Sequence, residues 1–178
     1  MNLTKYPFAI AIISILFLTT GCQTNNVKPV EDVNLISLNY VAADHLIAAA
    51  ASDLSTSHPI LTTSFANIDD LKSSSTFGRI TGEQVGSRFS QNGYSVVEMK
   101  VRNSVFIKEQ SGEFILSREL KTLSTLHDAQ AVLVGTYAVG SASVYVTAKL
   151  IATKDNIVIA SYDYILPMGP DTKALLRK

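Results

Sequence analysis

The sequence is poor in the residues that usually announce chemistry. Its 178 residues include one cysteine, no tryptophan and three histidines. A single cysteine excludes an internal disulfide framework and any multi-cysteine zinc site. The histidines, His45, His58 and His127, are scattered, and no two are spaced to share one turn of a helix, so no metal ligand set is read from them. Charge is scarce too, at 17% of residues, with 15 Lys+Arg balanced by 15 Asp+Glu. Without a basic excess there is nothing to hold a phosphate backbone, which argues against nucleic acid as a partner. What is abundant is apolar: 47% of the chain is hydrophobic, too much for disorder throughout and, at this length, enough for one domain with a core.

The apolar content begins at once. Residues 1–21 carry one charge, Lys5, followed by the uncharged run Phe8–Leu18. Eleven residues fall short of the roughly 20 that a membrane-spanning helix needs. A short positive region and a short apolar core form a secretory signal peptide. The run ends in Leu18-Thr19-Thr20-Gly21-Cys22. This resembles the lipobox of bacterial lipoproteins, in which a small residue precedes a cysteine that is acylated and becomes the mature N-terminus. Here the aliphatic residue stands one place early. Cys22 is thus the expected lipidation site, and acyl chains such as palmitate would anchor it stably. Gln23 follows where an Asp would favour the inner membrane, so the pattern implies the outer membrane. Losing the leader removes Lys5 and no acid, leaving 14 basic against 15 acidic side chains. Residues 22–33 read as a lipidated tether, polar and without periodicity beyond the cysteine.

The domain is expected over 34–166. Leu35, Leu38, Val41 or Ala42, Leu46 and Ala49 or Ala50 recur at helical spacing, and the helix stops before His58-Pro59. Ile60–Phe65 is a short strand. Phe77, Ile80, Val85 and Phe89 mark a second helix, with Ser75 or Thr76 to cap it and Asn92-Gly93 to close it. A strand is expected at Tyr94–Glu98, a further strand or an irregular edge at Val105–Lys108, and a third helix with Leu120, Leu123 and Leu126 inward. Ala131–Val139 is a continuous apolar run, as in a strand covered on both faces. Val144, Val146, Ala148 and Leu150 then alternate with polar residues, and Ile157–Ile165 follows the turn Lys154-Asp155-Asn156. Short turns make these three an antiparallel meander. The expectation is therefore a single α/β (α+β) domain, a mixed sheet ending in a three-stranded meander with helices packed on it, and 167–178 as a C-terminal tail with room for a frayed helix.

No catalytic constellation stands out. There is no G-x-S-x-G elbow, and nothing selects one Ser-His-Asp set. Gly135 and Gly140-Ser141 echo half a phosphate loop without its Lys and between two strands. Asp69 and Asp70 sit in a polar loop. No cofactor is implied. Gly78, Gly82 and Gly86 recur every four residues on the second helix, and close approach of that helix to the sheet is the expected reason. Tyr145, Tyr162 and Tyr164 would form an interaction patch if register puts them on one face, and ordinary edge packing if not.

Several segments stand in a recognisable order. They are Val41-Ala42-Ala43-Asp44, Pro59-Ile60-Leu61 with Ser64-Phe65 and Asp69-Asp70-Leu71, Phe77-Gly78-Arg79, and Asn92-Gly93-Tyr94 with Val96-Val97-Glu98. Gly112-Glu113-Phe114 with Leu116-Ser117-Arg118-Glu119-Leu120, Val134-Gly135-Thr136-Tyr137 and Ile159-Ala160-Ser161-Tyr162-Asp163-Tyr164 complete the set. Together they resemble the FlgO family of flagellar outer-membrane lipoproteins over roughly 34–166. The resemblance implies a non-enzymatic lipoprotein on the outer membrane, associated with the flagellar base or other outer-membrane lipoproteins and supporting motility or filament anchoring. It implies no catalytic residues; only Cys22 transfers, as the acylation site. Assembly of several copies is compatible with it. The alternative is a periplasmic lipoprotein regulator of a cell-wall or secretion assembly, and a periplasmic hydrolase is a third reading.

Overall fold

The computed structural model describes residues 29–71, 74–99, 106–108, 114–116 and 118–177. Cys22 and the expected leader lie outside them. In chain order the elements are α1 (Leu35–Ala49), β1 (Ile60–Thr63), β2 (Ala66–Asn67), α2 (Thr76–Gln91), β3 (Val96–Met99), β4 (Phe106–Lys108), β5 (Phe114–Leu116), α3 (Arg118–Leu126), β6 (Ala131–Val139), β7 (Ser143–Ala152), β8 (Val158–Pro167) and α4 (Pro170–Leu176). The sheet runs β3-β1-β6-β7-β8, with β2 also on β6. β1 is parallel to β3 and β6, whereas β6, β7 and β8 are antiparallel. This is the expected mixed sheet ending in a meander. The pair β4–β5 forms a separate two-stranded sheet, and β5 is a strand the sequence reading did not contain.

Two faces of the sheet differ. On one lie α1, over β7 and β8, and α2, over β1, β3 and β6. Their core joins Leu46, Phe77, Val85 and Phe89 to Ile60, Leu133, Val146 and Leu150. On the other face, Leu120 and Leu123 of α3 pack on Leu61, Val132, Val134 and Ile151. Leu126, expected inward, is 74% exposed, because the helix ends there and turns away through Asp128 at φ 51°.

The glycines of α2 explain why it sits so low on the sheet. A Cβ at Gly78 would run into the Phe65 carbonyl oxygen, one at Gly82 into the Thr63 carbonyl oxygen, and one at Gly86 would press on the Thr62 side chain. Phe65 leaves the strand ladder at this point: its N–H donates to Gly78 O at 2.9 Å, which is what separates β1 from β2. Its ring fills the space over Gly135. Ser75 caps α2, accepting from Gly78 N at 3.3 Å, and Gly93 closes the helix end at φ 88°.

In the tail expected at 167–178 the helix is docked and not frayed. Thr172 is buried, and Leu175 and Leu176 pack against the core. Asp32, in the expected tether, accepts from Asp171 N at 2.7 Å, Thr172 N at 3.0 Å and Thr172 Oγ1 at 2.9 Å. Asp32 and Thr172 are 140 positions apart, so no local pattern announces the pair.

Candidate functional site

The structure separates the three tyrosines. Residues paired across antiparallel strands point to the same face. Tyr164 pairs with Val146 and Tyr162 with Ala148, on the helix-covered face, while Tyr145 pairs with Ile165 on the other. The single patch is therefore corrected to two sites. Tyr164 Oη donates to Asn39 Oδ1, and Asn39 Nδ2 donates to Gln84 Oε1 at 2.7 Å, so one half-buried network centred on the buried Asn39 ties β8, α1 and α2 together. Burial pushes the Tyr164 phenol above its ordinary pKa, keeping it a neutral donor. Tyr162 stacks on His45 of α1, with centroids 4.4 Å apart. Tyr145 is 57% exposed, beside Ile165 at 53%. Thr136, Thr147, Lys149, Ser161 and Asp163 follow the same parity, so the open face of the meander is polar with an apolar pair near one end.

A bulge decides this. Leu150 pairs with Ala160 but Ile151 with Val158, leaving one extra residue on β8. Without that residue the register beyond it would shift by one and every side chain of β8 would change faces, which would bring Tyr162 and Tyr164 onto the face of Tyr145.

Where parallel strands β1 and β3 end, the chain leaves to opposite faces, towards α2 and α3. Such a switch point carries the ligand in many α/β folds. Here Thr62, Thr63, Ser64, Gly82, Glu98 and Met99 are among the residues lining about 30 Å³ there. The close approach of α2 at Gly82 has filled the crevice.

The larger concavities lie at the other end of the strands, one of about 310 Å³ beside α3 and one of about 430 Å³ beside His58. They meet at Asp128, Ala129, Thr153 and Lys154. At their rim the structure assembles a Ser-His-Asp set that the sequence did not single out. Ser57 Oγ is 3.0 Å from His58 Nδ1, and His58 Nε2 is 3.4 Å from Asp128 Oδ2. The His58 and Asp128 side chains are 49% and 88% exposed. A hydrolytic triad relies on a buried carboxylate to orient its imidazole; a pair in water is weak and mobile. Its role here is to link the loop before β1 to the turn before β6, as Gln130 does by donating to Ser55 O and His58 O.

On the helix surface, Arg88 of α2 grips Asp44 of α1 with two hydrogen bonds, at 2.8 and 3.0 Å, and lies 5.4 Å from the Tyr40 ring. The Arg88 hydrogen bond lowers the Asp44 carboxyl pKa and raises that of the guanidinium. Among the described residues no group of three or more His, Cys, Asp or Glu is placed to hold a metal, and no helix is long and apolar enough to cross a membrane.

Comparison with known proteins bears on this arrangement. A family model described as FlgO protein matches residues 40–171. No curated protein matches the sequence. Among solved structures, the chain is similar to the LpoB C-terminal domain from Escherichia coli, at 14% identity and TM-score 0.51, covering 75% of this chain and 98% of that one. It is also similar to the LpoB C-terminal domain from Salmonella enterica, at 12% identity and TM-score 0.50, covering 70% and 93%. At these identities the likeness is one of fold.

Proposed function

The chain belongs to the FlgO protein family, and from that premise we propose that it is an outer-membrane lipoprotein, acylated at Cys22, that supports flagellar motility through protein–protein contacts and not through catalysis. The observation that carries the reading is the family match over residues 40–171, most of the domain. The lipobox around Cys22 supplies the anchor, and the uncovered face of the meander, with Tyr145 and Ile165, supplies a surface that the domain's own core does not use. The filled switch point agrees with a module that binds other proteins and not a small ligand.

Separation of inner and outer membranes on a density gradient, followed by purification of flagellar basal bodies, tests this. The wild-type chain is expected in the outer-membrane fraction and with the basal bodies; Cys22→Ser is expected in the soluble periplasmic fraction with its fold intact. Cys22→Ser that stayed in the outer-membrane fraction would contradict lipidation as the anchor. A second reading, a lipoprotein regulator of a cell-wall or secretion assembly, draws on the fold shared with the LpoB C-terminal domains. It predicts the same fractionation but no copurification with basal bodies.

A further inference from the structure

We infer that β8 pairs along its free edge with β8 of a second copy of this chain, antiparallel, about a two-fold axis through Tyr162. The inference needs neither the anchor at Cys22 nor the flagellar role.

The two edges of the sheet are unlike. β3, at one edge, has four residues, and β8, at the other, has ten. Among the described residues only β7 pairs with β8. The ladder fixes which backbone groups this leaves open. Met168 N donates to Ala142 O at 2.9 Å, one step beyond the pair Ser143–Pro167. Bonded pairs alternate along an antiparallel ladder, so Ala160, Tyr162, Tyr164 and Leu166 bond to β7, while Ser161, Asp163 and Ile165 turn both N–H and C=O outward. All three are exposed. Native sheets blunt such edges with short strands, lysines, prolines or bulges. β8 has no Lys or Arg, its proline is its last residue, and its bulged residue is Ile159. The stretch 160–166 between them is an unguarded template for another strand.

Its side chains select a second copy as that strand. With Tyr162 on the axis, Ser161 pairs with Asp163 of the second copy, and Asp163 with the second copy's Ser161. Both are outward-bonding positions, so each pair exchanges its two N–H···O bonds, and each Ser161 hydroxyl can donate to the facing carboxylate. Asp163 is the one charged residue of β8, and this register gives it a donor in both copies. An axis at Asp163 would set that carboxylate against itself, which is destabilising. An axis at Tyr164 would set it against Ile165, and Ser161 against Pro167, which has no N–H. An axis at Ser161 would set it against the bulged Ile159.

The helix above the edge agrees. Tyr40 and Asp44 of α1 turn to Arg88 of α2, whereas His45 stacks on Tyr162 of β8, with centroids 4.4 Å apart. Leu38, Val41 and Ala49 share the flank of His45 by helical spacing. That flank is apolar but for His45, and Val41 is 45% exposed on it. The two-fold axis brings the flank against its copy and covers it. It also joins the open faces of the two meanders, each with Tyr145 and Ile165, into one continuous surface.

Tyr162→Cys tests the axis. A residue on the axis, between bonded pairs, faces its own copy at a Cα separation of about 4.5 Å, which a disulfide can bridge. Ile165→Cys is the control, since Ile165 is exposed where Tyr162 is half-buried, yet the register sets its two copies roughly 20 Å apart. Both are made in the full-length chain carrying Cys22→Ser, where the introduced thiol is the only one. The chains are purified in mild detergent and oxidised with copper phenanthroline. The expected result is a disulfide-linked dimer of Tyr162→Cys in several-fold higher yield than of Ile165→Cys. Adding Ser161→Pro, which removes an outward N–H and spares the β7 ladder, is expected to abolish it. Equal yields at 162 and 165, or no dimer at 162, would overturn the pairing. Sedimentation equilibrium carries the test if Tyr162→Cys does not fold. The Cys22→Ser chain is expected as a dimer and its Ser161→Pro form as a monomer, with unchanged circular dichroism. A monomer without the proline, or a dimer that survives it, would overturn association through β8.

Discussion

The two halves of the sheet solve the same problem differently. The parallel half, β3, β1 and the start of β6, is covered on both faces, by α2 on one and α3 on the other. Its contacts are set by glycine: α2 rests on the backbone of Thr63 and Phe65 with no side chain between. The antiparallel half, β7 and β8, has α1 on one face, and its other face displays Tyr145, Lys149 and Ile165 to solvent. Where both faces are covered, volume is fixed and any added atom must displace a neighbour. Where one face is open, side chains are free to serve a partner. In the proposed function the first half is scaffold and the second is display.

The sharpest way to break this contrast is to overfill the scaffold. Gly82→Leu should destabilise the domain by about 3 kcal/mol, through overpacking against the β1 backbone, or roughly 6–12 °C in Tm. Thermal melting by circular dichroism checks it, and an unchanged Tm would show that α2 can move off the sheet freely. A smaller effect is expected where the display half meets its helix. Tyr164→Phe leaves Asn39 Oδ1 buried without its donor and should cost about 2 kcal/mol; a stable Tyr164→Phe would mean that the network does not hold α1. Acid should act next, on the Asp32 clamp. Its hydrogen bonds from Asp171 and Thr172 hold the carboxyl below its ordinary value of 3.8. The stabilisation is therefore complete above pH 3.8 and lost as pH falls through the lower folded value. The Tm difference between wild type and Asp32→Asn should be constant from pH 7 to 5 and narrow below pH 3.8. A gap that widened in acid would contradict the assignment. The smallest effect on stability is expected on the open face: Tyr145→Ser and Ile165→Ser should leave Tm within about 1 °C, each being a surface change.

The same contrast governs what could be read from the sequence. β6 begins and ends where its apolar run does, at Ala131 and Val139, and its start is the part buried on both faces, as such a run implies. The spacing of Gly78, Gly82 and Gly86 signalled close packing for a similar reason: small residues along one helix face have few other uses. The faces of the tyrosines were not legible. They depend on one extra residue at the β7–β8 bulge, which alternation of residue types alone does not locate. Nor was the docking of α4 legible, since this seven-residue helix is held by Asp32 from the far end of the chain. The Ser57, His58 and Asp128 set depends likewise on a contact between the start of β1 and the turn before β6. Cys22, the expected lipidation site, lies outside the described residues.

The central claim, that an anchored, displayed domain supports motility, is tested most directly by swimming in soft agar. A deletion strain would be complemented with the wild-type chain, with Cys22→Ser, and with a chain carrying both Tyr145→Ser and Ile165→Ser. The account predicts lost swimming in the deletion strain, restored by the wild-type chain and by neither variant, although the doubly substituted chain melts with the wild type. Normal swimming of the deletion strain would contradict the flagellar role outright.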